Sequence, residues 1–190
     1  MRLALPLILC AVLSASEPAR IPSKLSIERL DAKPIDPSAY RGKVVALAFI
    51  YTTCVHCQDL TRTLERIAPE YAPRGVQFLE CAFNPDAQGT MREFLTRFHP
   101  PFPVGWASDL AVRGYLQIAL MDIRPLYVPH MVFLDRAGAI RADYRGESGF
   151  FTQPEANIRA ELDKMLQVKV PPGERSPGLK NPPAAPPSHP

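Results

Sequence analysis

The sequence predicts an α/β fold, a central mixed sheet with helices on both faces. Three observations predict it. Lys43 to Tyr51 is a near-continuous apolar run, the mark of a strand covered on both sides. Directly after it, Cys57, Leu60, Leu64, Ile67 and Tyr71 recur at steps of three and four, the stripe of an amphipathic helix. Late in the chain, Val128 to Asp135 and Ile140 to Tyr144 flank the turn signal Arg136-Ala137-Gly138, which pairs them as a hairpin.

The remaining elements follow the same logic. Asp59, Arg62, Glu65 and Arg66 lie mostly off the first helix's apolar stripe, and Pro69 shortens or kinks its last turns. Val76 to Phe83 reads as a second core strand, with Phe78 and Glu80 on one face and Gln77, Leu79 and Cys81 on the other. Asn84-Pro85-Asp86 is a turn and helix start, and Met91 to Phe98 continues that helix. Pro100 to Pro103 reads as loop, with room for a short strand before a third helix at Asp109 to Ile118. A last helix runs from Pro154 to Leu166, opening on the proline that suits a first turn. No internal repeat is visible.

The two ends are of different material. Residues 1–16 hold one Arg, an apolar run from Leu3 to Leu13 and small residues beyond it, the pattern of a secretory signal. That run is shorter than the ~20 residues a membrane span needs. Cys10 follows Leu9 rather than a small residue, which speaks against lipidation; membrane association is expected only if the signal stays uncleaved. Residues 169–190 are rich in proline, with eight in the last twenty residues, and cannot bury enough surface to offset ordering entropy. Residues 17–168 are therefore expected to form one domain. The net charge of +3 comes from the ends, so the body is neutral and offers no electrostatic case for nucleic acid.

The chemistry concentrates at Thr53-Cys54-Val55-His56-Cys57. Two cysteines three apart at a strand-to-helix junction can close a small disulfide loop. Cys54 falls at the helix N-terminus, where free N–H groups and the helix dipole favour a thiolate, so it is the expected nucleophile. Cys57 lies one turn in, on the apolar stripe, and is the expected resolving partner. Zinc wants four ligands, and no second Cys pair or His pair stands at a fitting spacing. His56 can donate a hydrogen bond or positive charge to a Cys54 thiolate, which stabilises the dithiol and makes the disulfide more oxidising. Cys81 reads as a buried small hydrophobe, His99 as a solvated loop residue. No phosphate loop or dinucleotide fingerprint is present.

Across roughly residues 22–167, the Val44–Cys57 run, the strand opening with Pro129 and the hairpin after it resemble the thioredoxin-like superfamily. Within it the chain looks most like the TlpA/ResA-type thiol-disulfide oxidoreductases of the periplasm. The resemblance implies a thioredoxin-like fold and a cis Pro129 beside the cysteines. It also implies that Val128 offers its backbone to a substrate chain, with Val55 and Thr53 at the same groove, and that Asp86 is the family's acid/base carboxylate. It further implies no cofactor beyond the Cys54–Cys57 disulfide. The expected partners are protein thiols and disulfides together with a membrane or periplasmic redox partner, and the chain is expected to act as a monomer in a periplasmic or secreted location. Three residues depart from the pattern: Thr53 stands where Trp is usual, Val55-His56 where Pro is common, and Ala48 where thioredoxins keep a buried Asp. The Val55-His56 pair is similar to that of DsbA-type periplasmic oxidants.

Two alternatives stay open. Tyr51-Thr52-Thr53-Cys54 also resembles Sco-type copper chaperones, which space their cysteines one residue further apart; Cys54, Cys57, His56 and His130 are the candidate copper ligands. The other is a redox-inactive binding module that keeps the fold and uses the cysteine pair as a structural bridge.

Overall fold

The computed structural model describes residues 19–119 and 121–167, so the expected signal at 1–16 and the Pro-rich tail at 169–190 lie outside it. The chain builds a seven-stranded mixed sheet in the order β2-β1-β5-β4-β3-β6-β7. The strands are β1 (Ile27–Arg29), β2 (Ala32–Ile35), β3 (Val44–Ile50), β4 (Val76–Ala82), β5 (Val104–Trp106), β6 (His130–Leu134) and β7 (Ile140–Tyr144). The helices are α1 (Val55–Tyr71), α2 (Ala87–Phe98), α3 (Asp109–Tyr115) and α4 (Pro154–Gln167). Among the described residues no helix is long and apolar enough to cross a membrane.

The centre of the sheet is where the longest apolar run predicted it. All seven residues of β3 are buried, and β3 pairs in parallel with β4 and antiparallel with β6. Side-chain alternation along β3 feeds two cores. Ala46, Ala48 and Ile50 pack with Cys57, Leu60, Leu64 and Ile67 of α1, and with Ile158 and Leu162 of α4. Val45, Leu47 and Phe49 face the other way, toward Val112 and Tyr115 of α3. Helices therefore cover both faces, as expected.

The differences from expectation are at the edge and in a helix end. Strands β1 and β2 were not expected: they are only three and four residues long, of mixed polarity, and β2 carries Pro34, so neither alternation nor a long apolar run marks them. They form by tertiary pairing, β1 against β5. The third helix stops at Tyr115 rather than Ile118. Gln117 adopts a left-handed φ of 58°, and backbone bonds from Gln117 to Gly114 and Ile118 to Arg113 close the helix.

Candidate active site

The site lies where β3 ends and α1 begins. Cys54 is the N-cap of α1, in extended backbone, and its side chain makes no capping bond. Its carbonyl accepts the Gln58 N–H at 3.0 Å and starts the helix. The thiol therefore stands free at the positive end of a helix, half-buried and reachable. One turn on, Cys57 is fully buried, and its sulfur accepts the Tyr51 N–H at 3.5 Å. Burial drives the Cys57 thiol far above its ordinary value; the Tyr51 bond opposes this, while Cys54 and Glu80 add to it. The two thiols lie close together, one turn apart on α1.

The loop that presents Cys54 is braced from behind. Thr52 is buried; its N–H donates to Asn84 Oδ1 at 3.0 Å, and its hydroxyl lies 2.7 Å from that of Thr90. The Asn84 amide donates to Thr52 Oγ1 at 3.0 Å and to Asp86 Oδ1 at 2.7 Å. Gln58 closes the loop by donating to the Thr52 carbonyl at 2.8 Å. Nothing in the sequence singled out Asn84; its role follows from being buried across from Thr52.

Opposite this loop, the Val128–Pro129 bond is cis, the isomer the resemblance implied. Val128 is half-buried and packs against both cores, and Pro129 is buried. Gly146 keeps the segment in place. A Cβ there would come within 2.9 Å of the Tyr127 backbone carbon and 3.0 Å of that of Val128, and the Gly146 N–H donates to the Tyr127 carbonyl. Val55 and Thr53 are exposed beside Cys54, so both are available to a docking chain. His56 is exposed on the first turn of α1.

Two expected side chains fall elsewhere. Asp86 is exposed at the N-cap position of α2, where its carboxylate takes the Asn84 amide instead of a cysteine. Among the described residues a fully enclosed carboxyl on the cysteine side of the sheet is Glu80 on β4. The sequence placed Glu80 on the Phe78 face but gave it no role; the available signal was one acid inside an apolar strand. His130 points away from the cysteines. Its ring meets Phe49 edge-on in the other core, and its Nε2 lies 2.6 Å from Asp143 Oδ1. The copper set of Cys54, Cys57 and His130 is thus split across the sheet, because strand alternation from Pro129 turns His130 to the far face. Among the described residues no three His, Cys, Asp or Glu side chains gather into a metal-binding group.

Asp143 also receives Arg20. Burial raises the Asp143 carboxyl, but the bonds and charge from His130 and Arg20 outweigh it and hold the group below its ordinary value. Cys81 is buried in the second core, as expected, and burial raises its thiol strongly. His99 is exposed and ends α2 in left-handed backbone.

The family model of Redoxin matches residues 17–160. No curated protein matches the chain. Solved structures share the fold. A thioredoxin-family thiol:disulfide interchange protein from Chlorobium tepidum is 18% identical over 78% of this chain and 99% of its own, with a TM-score of 0.61. A thiol:disulfide interchange protein from a Bacteroides species is 12% identical over 80% of this chain and 92% of its own, with a TM-score of 0.59. A secreted disulfide oxidoreductase from Mycobacterium tuberculosis is 19% identical over 74% of this chain and 97% of its own, with a TM-score of 0.51.

Proposed function

The chain belongs to the Redoxin family, and from that premise we propose that it is an extracytoplasmic protein thiol-disulfide oxidoreductase working through Cys54 and Cys57. One observation carries the reading: a half-buried thiol at a helix N-terminus lies close to a fully buried thiol one turn away. The first is accessible at the positive end of the helix; the second is shielded from every sulfur except its neighbour's.

In the oxidising direction, a partner thiolate attacks Cys54 of the disulfide. The Cys54–Cys57 bond breaks, Cys57 takes the electron pair, and a mixed disulfide joins Cys54 to the partner. A second partner thiolate then displaces Cys54, leaving the partner oxidised and the pair reduced. In the reducing direction Cys54 attacks the partner disulfide and Cys57 resolves the mixed species. The pair needs no cofactor beyond itself. Val128 and Pro129 lead into β6 beside the end of β3 that delivers Cys54, and Val55 and Thr53 are exposed next to it; in this reading an extended partner segment lies against Val128, with the Val128 backbone as its hydrogen-bonding edge. His56 tunes the couple from the first turn, favouring the Cys54 thiolate and so a more oxidising disulfide. The signal-like pattern of residues 1–16 supports a periplasmic or secreted setting, where a membrane or periplasmic redox partner would reset the pair and disulfides persist.

The test is trapping. With Cys57→Ser, the protein incubated with a disulfide-containing polypeptide accumulates a mixed disulfide through Cys54 that dithiothreitol releases. Absence of that species, with the variant folded, overturns the reading.

A further inference from the structure

His130 opens β6 directly after Pro129 and is 1% exposed, a polar ring sunk in the second core. Alternation along β6 puts it on the face of Val132, and Val132 pairs with Asp143 of β7. The two side chains therefore meet diagonally, with His130 Nε2 at 2.6 Å from Asp143 Oδ1. A carboxylate only accepts, so Nε2 carries the hydrogen. Nδ1 is buried and has no partner. An apolar ring would fill the same space without that orphaned atom, so the imidazole costs stability unless its one directional bond serves something. The other Asp143 oxygen takes the Arg20 guanidinium. Arg20 belongs to a strap formed by residues 20–23. Its backbone pairs with Ile140 in both directions, at 3.1 and 2.7 Å, and its second terminal nitrogen donates to the Leu116 carbonyl at 3.2 Å. Gln117 donates to the Ile21 carbonyl at 2.8 Å, and Ser23 donates to the Gly114 carbonyl at 3.1 Å. The strap thus ties the end of α3 to β7 and fixes the carboxylate that holds His130. A chain of bonds runs from Arg20 through Asp143 and His130 to Pro129 and Val128.

This inference rests on the redox reading of the cysteine pair. We propose that His130 is a positioning residue for the partner chain. It pins the start of β6, and with it the Val128 backbone edge on which the partner docks. Arg20 of the N-terminal strap acts on docking through Asp143 and His130. The ring packs on Phe49 in the core opposite the one that holds Cys57, so it acts on partner binding and not on the sulfurs.

The docking step is isolated in the Cys57→Ser protein, with insulin as a disulfide-bonded polypeptide and a small aromatic disulfide as a probe that needs no docking edge. Mixed-disulfide formation on Cys54 is followed across insulin concentrations. In His130→Phe, half-saturation should move to an insulin concentration about three- to tenfold higher, the worth of one hydrogen bond, at an unchanged limiting rate. His130→Gln keeps a side-chain N–H donor and should recover part of the loss. Arg20→Ala should weaken insulin docking where His130 is present and add nothing in His130→Phe, because it acts through the ring. The small disulfide should react at the parent rate in every variant. A half-saturation in folded His130→Phe equal to the parent's, an equal slowing of both probes, or Arg20 and His130 effects that add in full would overturn the inference. Should His130→Phe not fold, the half-exposed Arg20 decides: insulin docking at the parent value in Arg20→Ala overturns it. Failure of insulin to trap Cys54 in the folded Cys57→Ser protein overturns the functional reading instead, so the two failures are distinguishable.

Discussion

Cys54 and Cys57 sit one turn apart on α1 and in different media: the first half-buried at the helix tip, the second sealed beneath it with its sulfur held by the Tyr51 N–H. The asymmetry assigns their roles. An attacking sulfur must be reached, and a resolving sulfur must be reached by its neighbour alone.

Cys54→Ser should therefore abolish exchange with any partner, whereas Cys57→Ser should slow turnover while accumulating mixed disulfides. Alkylation should show the same order. Iodoacetamide should modify Cys54 in the folded reduced protein and reach Cys57 and Cys81 only on unfolding. Mass spectrometry of partially alkylated protein checks this, and early labelling of Cys57 would reverse the assignment.

Glu80 should make stability fall with pH. Its carboxyl is raised from 4.5 to about 8 in the folded protein. Between those values the folded chain keeps a proton that the unfolded chain has lost, so stability declines as pH rises. The slope approaches about 1.4 kcal/mol per pH unit for one proton. Glu80→Gln should remove this slope and be more stable than the parent at pH 8. Urea unfolding at pH 5 and pH 8 measures it; equal parental stabilities at the two values would contradict the buried acid.

The Asn84 amide is expected to be the keystone of the cysteine loop. Asn84→Ala strands the buried Thr52 N–H and leaves the Thr52 hydroxyl only Thr90, a loss of about 1–3 kcal/mol. Hydrogen exchange should show the Thr52 amide deprotected before the rest of β3 and α1. A variant as stable and as protected as the parent would show that the network is dispensable.

Gly146→Ala should act on partner binding rather than on the sulfurs. The added methyl group meets the backbone of Tyr127 and Val128 and must displace it. Reduction by dithiothreitol, which needs no groove, should keep its rate, while reduction of a disulfide-bonded polypeptide should slow severalfold. Equal effects on both would place Val128 outside the docking surface.

Much of this was legible in the sequence because the carriers were long and periodic. β3 announced itself by an unbroken apolar run, α1 by its stripe, and the cysteines by falling at the junction between them. The illegible parts depend on distant neighbours. β1 and β2 are short and, apart from the buried Ile27, mostly exposed, and only pairing makes them strands, β1 against β5 and β2 against β1. Asp86 was the expected acid because it follows β4 and precedes a helix, and those same features make it an exposed cap residue. Glu80 could be placed on the correct face from alternation, but that its face lies under α1, against Thr61, required the packed structure. His130 was a candidate ligand only while its face was unknown.

The equilibrium reduction potential of the Cys54–Cys57 pair, measured against glutathione in the purified protein, tests the central claim most directly. A single reversible two-electron transition should appear, at a potential above thioredoxin's value of about −270 mV, and His56→Pro should lower it. A cysteine pair that shows no reversible transition would contradict the account, leaving the disulfide as a structural bridge.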